Sequence, residues 1–473
     1  MRLLFGRFRG VCVLTWATLA CVSGGLPPSA AGADPAPQDA LQMTIDFLTR
    51  DDADFRAIGL DRVRHGLKGE AATQQFATLL SKLAPSRQLE LTAALADRGD
   101  RTALPAVMAL LHASQEPAVR AAAVQAVGSL GGGPEVLALT RFLAAGDPER
   151  AAARRSLTVL RGADTTALIV AAAKQADTSL RPTLIDILAD RRAITAMPDF
   201  AVAAVGDDAA IRTAAMRALG KFGGPDQVAG MVQGVLKAGA GGERDEAERA
   251  LVTVCTQNVG KERAAEVLLA QFRAADDTAQ EILLTVLGRV GGDGAISIVD
   301  GLVADPNAAK RKLGLTALTK WPDATVSQRL LDLLGTSQDP GERDQLLGAL
   351  IRIAPLPDNK LNDQQKLELL QKTMSLCQRD EDRRRVLERA NAIRTIETLR
   401  FVVPYLDDPN LAESACLSVV ELAHHRNIRD ANKDEFAKAL DKVLGTTKNE
   451  ELVERADRYK QGQTWERKKP SKG

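Results

Sequence analysis

Aromatic side chains are scarce in this sequence: Phe, Tyr and Trp together make up 3% of 473 residues. Large globular cores are ordinarily anchored by aromatics, so this chain must bury its surface in another way. Ala, Leu and Val, packed at close range in many small, similar layers, supply one. Histidine is rare too, limited to His65, His112, His424 and His425. The neighbours His424 and His425 fall on different faces of a helix, so they cannot chelate one metal as an i, i+4 pair would. Charge of one sign is also lacking: 62 Lys and Arg face 61 Asp and Glu, giving a net charge of +1. That balance excludes a globally basic nucleic-acid binder. The sequence contains no phosphate-binding loop, dinucleotide fingerprint, G-x-S-x-G elbow or haem C-x-x-C-H. No catalytic residue, cofactor, metal or nucleic acid is therefore expected.

Cysteine usage depends on the N-terminus. MRLLFGRFRGVCVLTWATLACVSGG has the build of an export signal, with Arg2, Arg7 and Arg9 ahead of an apolar run from Val11 to Val22. That run is too short for a membrane span, and Ala31-Gly32-Ala33 offers a cleavage context before Asp34. The expectation is a signal over 1–33, a linker over 34–44, and a soluble periplasmic or secreted protein. Lipid anchoring at Cys21 is the weaker reading, because Thr18 stands where such sites usually have leucine. Removing the signal takes Cys12 and Cys21 with it and leaves Cys255, Cys377 and Cys416. An odd number at wide spacing makes no disulfide framework, and each sits in an apolar helical run as a small buried hydrophobe. No other run is long enough to cross a bilayer, so the mature chain is expected to carry no transmembrane segment.

What the chain has in quantity is one pattern. In EPAVRAAAVQAVGSLGGGPEVLAL (116–139), Val119, Ala122, Ala123, Ala126, Val127 and Leu130 recur at three- and four-residue steps and line one helical face. Pro117 suits a first turn, Gly131-Gly132-Gly133 is read as a left-handed stop, and Pro134 opens a second helix. The pattern returns from 207, 275 and 304, and more weakly elsewhere, at a period near thirty residues that signals stacked helical hairpins. Carboxylates at the starts (Asp207-Asp208, Asp276-Asp277, Asp407-Asp408) read as helix caps rather than acid–base groups.

The text D-P-x-[VI]-R-x-x-A-x-x-A-L-G-x-x-G closely resembles HEAT repeats, especially the short bacterial kind shared with phycobilisome-lyase-like proteins. The resemblance covers roughly 45–445 and implies an all-α fold, a right-handed α-solenoid of about 10–12 hairpins. The array is placed at 45–446, with a C-terminal helix and basic tail at 447–473. It further implies that Arg120, Arg150, Arg181, Arg212, Arg311, Arg343 and Arg384 form a structural ladder. Each would pair with an acid of a neighbouring loop such as Asp147, Asp177 or Asp208. The first helix of each hairpin would line the concave surface. One exposed column of those helices reads Ser129, Val159, Asp190, Lys221, Gln257, Arg289, Lys320, Arg352.

Lys221, Arg289, Lys320 and Arg352 are thus the expected contact row for an acidic peptide or anionic polymer. Some HEAT-like enzymes, the deoxyhypusine hydroxylases, carry paired His-Glu steps, and this sequence has no His-Glu dipeptide. The function expected is a non-catalytic exported scaffold that binds a protein or peptide. A HEAT-type accessory lyase, or another enzyme using the groove, is the alternative from a different class, and an envelope-anchored structural protein is a third. KAGAGGERD (237–245) reads as a flexible joint, PLPDNKLNDQQ (355–365) as a protruding insertion. The end, with Tyr459 and Trp465, reads as a disordered basic tail, or one docked on its own fold or a partner.

Overall fold

The computed structural model describes residues 37–357 and 360–466. The signal expected over 1–33, Cys12, Cys21, the basic residues after Glu466 and part of the 355–365 insertion lie outside the described residues. Every element described is helical. The chain divides into two compact units, one ending at Ala126 and the other beginning at Val127.

In the first unit, Pro37–Thr49 is already a helix, so the linker expected over 34–44 gives way to helix from Pro37. Thr44 and Leu48 are buried on it at the four-residue step of a helical face. The helices Pro85–Arg98 and Leu104–Ala113 follow the same logic, burying Leu91, Leu95, Val107 and Leu111. Phe76 supplies one of the few aromatic anchors.

The second unit repeats a first helix and a second helix many times over. The first helices are Glu149–Val159, Arg181–Asp190, Ala209–Phe222, Gly242–Thr256, Asp277–Val290, Ala308–Thr319, Pro340–Ile353, Asp380–Ala390 and Ala412–His424. Each packs on the next, and Glu450–Lys460 closes the series against Ala412–His424. Acidic starters act as expected: Asp208 accepts from Ile211 N at 2.9 Å, Asp276 from Ala279 N at 2.8 Å, and Asp339 from Glu342 N at 2.7 Å.

Glycines inside the first helices set how closely the layers approach. A Cβ on Gly128 would lie 2.6 Å from Ser156 Cβ, and one on Gly220 would lie 3.0 Å from Ala250 Cα. At Gly288 it would meet Ala317 O at 2.4 Å. The glycine of the repeated A-L-G text is thus a contact point between neighbouring helices, which the sequence reading did not assign. The left-handed stop expected at Gly131-Gly132-Gly133 is corrected as well. None of the three has positive φ; a Cβ on Gly133 would strike the Asp164 carboxylate at 2.6 Å, and one on Gly131 would strike Val127 O. Space, rather than handedness, requires glycine there.

The joint at 237–245 is tied in place. Gly239 N donates to Glu243 Oε2 at 2.9 Å, Arg244 Nη2 donates to Ala238 O at 2.6 Å, and Glu243 pairs with Arg212 across layers. The chain end is also ordered through Glu466. Tyr459 is buried, its Oη is 2.9 Å from His424 Nδ1, and the Trp465 ring lies 5.0 Å from the Arg455 guanidinium. Leu452, Ala456 and Tyr459 are a helical stripe too short and too mixed with charge to stand out in sequence.

Candidate binding surface

The arginine ladder has a consistent partner, and it is mainly backbone. Arg120 Nη1 donates to Ser114 O and Gln115 O (3.3 and 2.8 Å), Arg212 Nη1 to Gly206 O and Asp207 O (2.9 and 2.7 Å), and Arg343 Nη1 to Leu334 O and Ser337 O (2.7 and 3.1 Å). These carbonyls end the preceding second helix, where no intrahelical donor remains, so each arginine caps the helix before its own. Acids join from the following layer rather than from the loops expected: Arg212 Nη2 is 2.7 Å from Glu243, and Arg311 Nη2 is 3.5 Å from Glu342.

Of the expected acids, Asp147 takes only Arg150 of its own loop, while Asp177 and Asp208 accept from nearby groups of their own turns. The buried doublets (Ala123-Val124, Ala215-Met216, Leu346-Leu347) place the ladder three residues upstream of the first member. By that register Arg244, Gln280 and Arg383 belong to it, whereas Arg150 and Arg384 fall one residue late. Arg181 holds the position, and among the described residues neither its side chain nor that of Arg384 makes a hydrogen bond or ion pair.

The expected basic row is not a free row. Lys221 Nζ lies 3.1 Å from Asp190 Oδ1, a residue of the same column one layer earlier. Arg289 Nη1 lies 3.7 Å from Glu248. Arg352 Nη2 donates to Thr319 O and Trp321 O at 3.0 and 2.6 Å, capping the first helix of the previous layer, and burial lowers its pKa. Arg191 and Asn258 reach back in the same way, to Leu157 O and Gly223 O. Lys221 and Lys320 are exposed, and only Lys320 has no hydrogen bond or ion pair among the described residues; it stands in the field of Glu248.

Across Glu149–Val290 this face is a charge zipper. Asp190 receives Arg154 at 3.1 Å as well as Lys221; burial alone would raise its pKa, but those two hydrogen bonds outweigh it and hold the carboxyl below its ordinary range. Arg217 bridges Asp186 at 3.0 Å and Glu246 at 3.4 Å. Glu248 is driven the other way, its pKa raised by burial despite Arg289 and Lys320.

Further along, the same face opens. Arg154, Asp186, Arg217 and Arg249 share one repeat position, and in the Pro340–Ile353 helix that position is Gly348. A cavity of about 420 Å³ follows, lined by Gly348, Ile351, Arg352, Arg385, Glu388 and Arg389. Glu388 also lines a second cavity of about 300 Å³ with Glu413, Ser414, Leu417, Asn449, Glu451 and Leu452. The two meet at Glu388, with arginines and an isoleucine lining the first and glutamates and leucines lining the second. Arg389 has no partner among the described residues. Glu388 and Glu413 each accept one hydroxyl, from Ser414 and Thr447 at 2.8 Å, which leaves acceptor capacity on both.

Residues 74–158 match the family described as HEAT repeats. Those residues carry HEAT repeats, and the all-helical stack continues beyond them. No curated protein matches the chain in sequence. Among solved structures it is similar to that of Kap95p with RanGDP, at 13% identity and a TM-score of 0.48, covering 90% of this chain and 66% of that one. The karyopherin Kap121p bound to the SUMO protease Ulp1p gives 12% identity and a TM-score of 0.49, with 89% and 53% covered. A homology model of the AP-3 complex in an intermediate open conformation gives 12% and 0.44, with 90% and 86% covered. This chain therefore spans about half to two thirds of the length of the karyopherin chains it matches. Likeness at that level carries no argument about partners.

Other chemistry in the HEAT-repeat array is sparse. Cys255, Cys377 and Cys416 are buried and free, and burial pushes their thiols up to about 12, 11 and 11. Among the described residues no group of three His, Cys, Asp or Glu is placed to hold a metal. No described helix is long and apolar enough to cross a membrane.

Proposed function

We propose that this HEAT-repeat protein is a non-catalytic, exported scaffold that holds a protein or peptide segment along the first-helix face between Gly348 and Leu452. The observation that carries the reading is the groove itself. It opens at the layer where that repeat position is Gly348, and it brings an arginine with no partner among the described residues near glutamates with spare acceptor capacity. An extended segment lying along it would find apolar contact in the middle and opposite charges at its ends, which favours one register over others. The row Lys221, Arg289, Lys320 and Arg352 is not needed for this; the charges that recognise the partner are Arg389, Glu388 and Glu413, since Arg385 and Glu451 are held by Asp344 and Arg455.

A photo-cross-linking side chain placed at Glu388 tests the reading. It should capture a discrete partner in the wild-type background and lose it when Gly348→Arg fills the groove. Capture of the same partner by both proteins overturns the groove reading. Export is a separate part of the proposal, supported by the signal-like segment alone. Fusing residues 1–36 to a reporter that is active only outside the cytoplasm tests it.

A further inference from the structure

The chain turns back on itself after the Glu450–Lys460 helix. Gly462 takes a left-handed φ of 75°, Gly462 N donates to Tyr459 O at 3.0 Å, and Gln463 N donates to Arg458 O at 2.9 Å. That pair of bonds is the motif in which a glycine ends a helix and reverses the chain. The reversal carries Trp465 back to the level of Arg455, whose guanidinium lies 5.0 Å from the Trp465 ring. Arg455 in turn stands 3.5 Å from Glu451, and Glu451 lines the cavity of about 300 Å³ together with Glu388, Glu413, Leu417 and Leu452. At Trp465 the chain is therefore headed for the glutamate-lined end of the groove.

The sequence that follows is cationic. Arg467, Lys468, Lys469 and Lys472 come after Glu466 with no acid among them. The cavity complements them: Glu388 and Glu413 each keep acceptor capacity, and Glu451 is only shared with Arg455. Leu417 and Leu452 supply an apolar wall on which the methylene stems of lysine can lie. Past Glu388 the lining changes to Arg385 and Arg389, which ends the stretch that a cationic segment can follow. Reach is sufficient, since an extended residue spans about 3.3 Å and residues 467–472 can cover about 20 Å, several helical turns. Tethering helps as well. A short linker gives an effective concentration on the order of millimolar, so contacts too weak to hold a free peptide can hold an attached one.

We propose that the basic segment 467–472 of this same chain lies in the glutamate-lined cavity, its lysines on Glu388, Glu413 and Glu451, with Trp465 as the anchor that aims it. The cavity is one end of the groove between Gly348 and Leu452. The segment is thus a built-in competitor for the glutamates that a partner would use, and a partner gains that end only by displacing it. This consequence rests on the proposed role of the groove, whereas the docking itself does not.

Carbodiimide coupling of the purified full chain tests the docking, because it joins a lysine and a carboxylate in contact and leaves no spacer. Peptide mapping should find Lys468 or Lys469 joined to Glu388, Glu413 or Glu451. Salt at about 1 M, where the screening length falls to about 3 Å, should lower the yield several-fold. Trp465→Ala keeps every lysine and carboxylate and should lower it about fivefold at unchanged helix content, as losing one cation–π contact implies. Mixing isotopically light and heavy chains separates docking within one chain from exchange between copies. The reaction contains no partner, so its failure is distinct from a failure of partner capture at Glu388. Lys468→Glu together with Lys469→Glu should then raise that capture several-fold, and unchanged capture overturns the competition. No cross-link, cross-links confined to Glu454 or Asp457, cross-links mainly between light and heavy chains, or an undiminished yield in Trp465→Ala overturns the docking.

Discussion

Arg217 and Gly348 occupy the same position of the repeat, in layers that behave in opposite ways. Around Arg217 the first-helix face is closed: each layer's charges are taken up by the next, through Asp186, Asp190, Lys221 and Glu246. Around Gly348 that position has no side chain to reach across; Arg385 still pairs with Asp344 between the layers, but Arg389 has no partner among the described residues and lines a cavity. The helices and their apolar faces are built alike in both regions. A repeat array can therefore hold a continuous core while its outer face changes from self-paired to open with one residue per layer.

The comparison can be broken most forcefully through the ladder. Arg212 is nearly buried and serves Gly206 O, Asp207 O and Glu243 together, whereas Arg384 in the open region makes no bond. Arg212→Ala should cost about 3 kcal/mol in urea unfolding, because it strands buried acceptors and a partly buried glutamate. Arg384→Ala should stay within about 0.5 kcal/mol. Equal losses would mean that the two regions are not held differently.

Two helix-interior glycines should respond with opposite signs. A Cβ on Gly288 meets the backbone of the next layer, so Gly288→Ala should cost about 2 kcal/mol even after its gain in helix propensity. At Gly348 the nearest obstacle is Arg385 Nη2 at 3.1 Å, the tip of a flexible side chain. Gly348→Ala should therefore raise stability by about 0.5–1 kcal/mol. A loss at Gly348 comparable to that at Gly288 would show a closed interface where the groove is drawn.

Charge deletion sharpens the contrast further. Arg217 is 42% exposed on its side chain, so solvent screens its two pairs and Arg217→Ala should cost only about 0.5 kcal/mol. Arg389→Ala should leave the melting temperature unchanged and weaken partner capture. That capture should also fall with salt, since exposed charges are screened beyond about 8 Å at physiological ionic strength.

The smallest effect is a pH dependence inside the zipper. Asp190 has a lowered pKa, so it contributes stability above the unfolded carboxylate range, lost as pH falls through its folded value. Glu248 has a raised pKa, so its ionised form is disfavoured in the fold at neutral pH, and that penalty disappears as pH falls through the folded value. Glu248→Gln should therefore raise the melting temperature slightly at pH 7, with the difference shrinking on acidification. A difference that grows towards acid would reverse the assignment.

Much of the frame was legible because its causes are local. Pro117, Asp208, Asp276 and Asp339 start helices by filling or lacking hydrogen bonds within one turn. The apolar steps of Val119 to Leu130 follow helical geometry. Asp190 and Lys221, neighbours in the expected column, do touch. What failed was the inference from that column to a free surface, since a string of residues does not say which charges neutralise one another. Glycine was misjudged for the same reason: Gly133 and Gly288 are defined by atoms thirty residues away.

By itself, then, the sequence determined that this chain is an all-α stack of helical hairpins, because helix period, caps and small apolar residues act over a few residues and recur. Only the tertiary structure decided which arginines cap the helix before their own, which face is zipped and where it opens at Gly348. Those outcomes depend on distances between layers, and a one-dimensional pattern carries no distances.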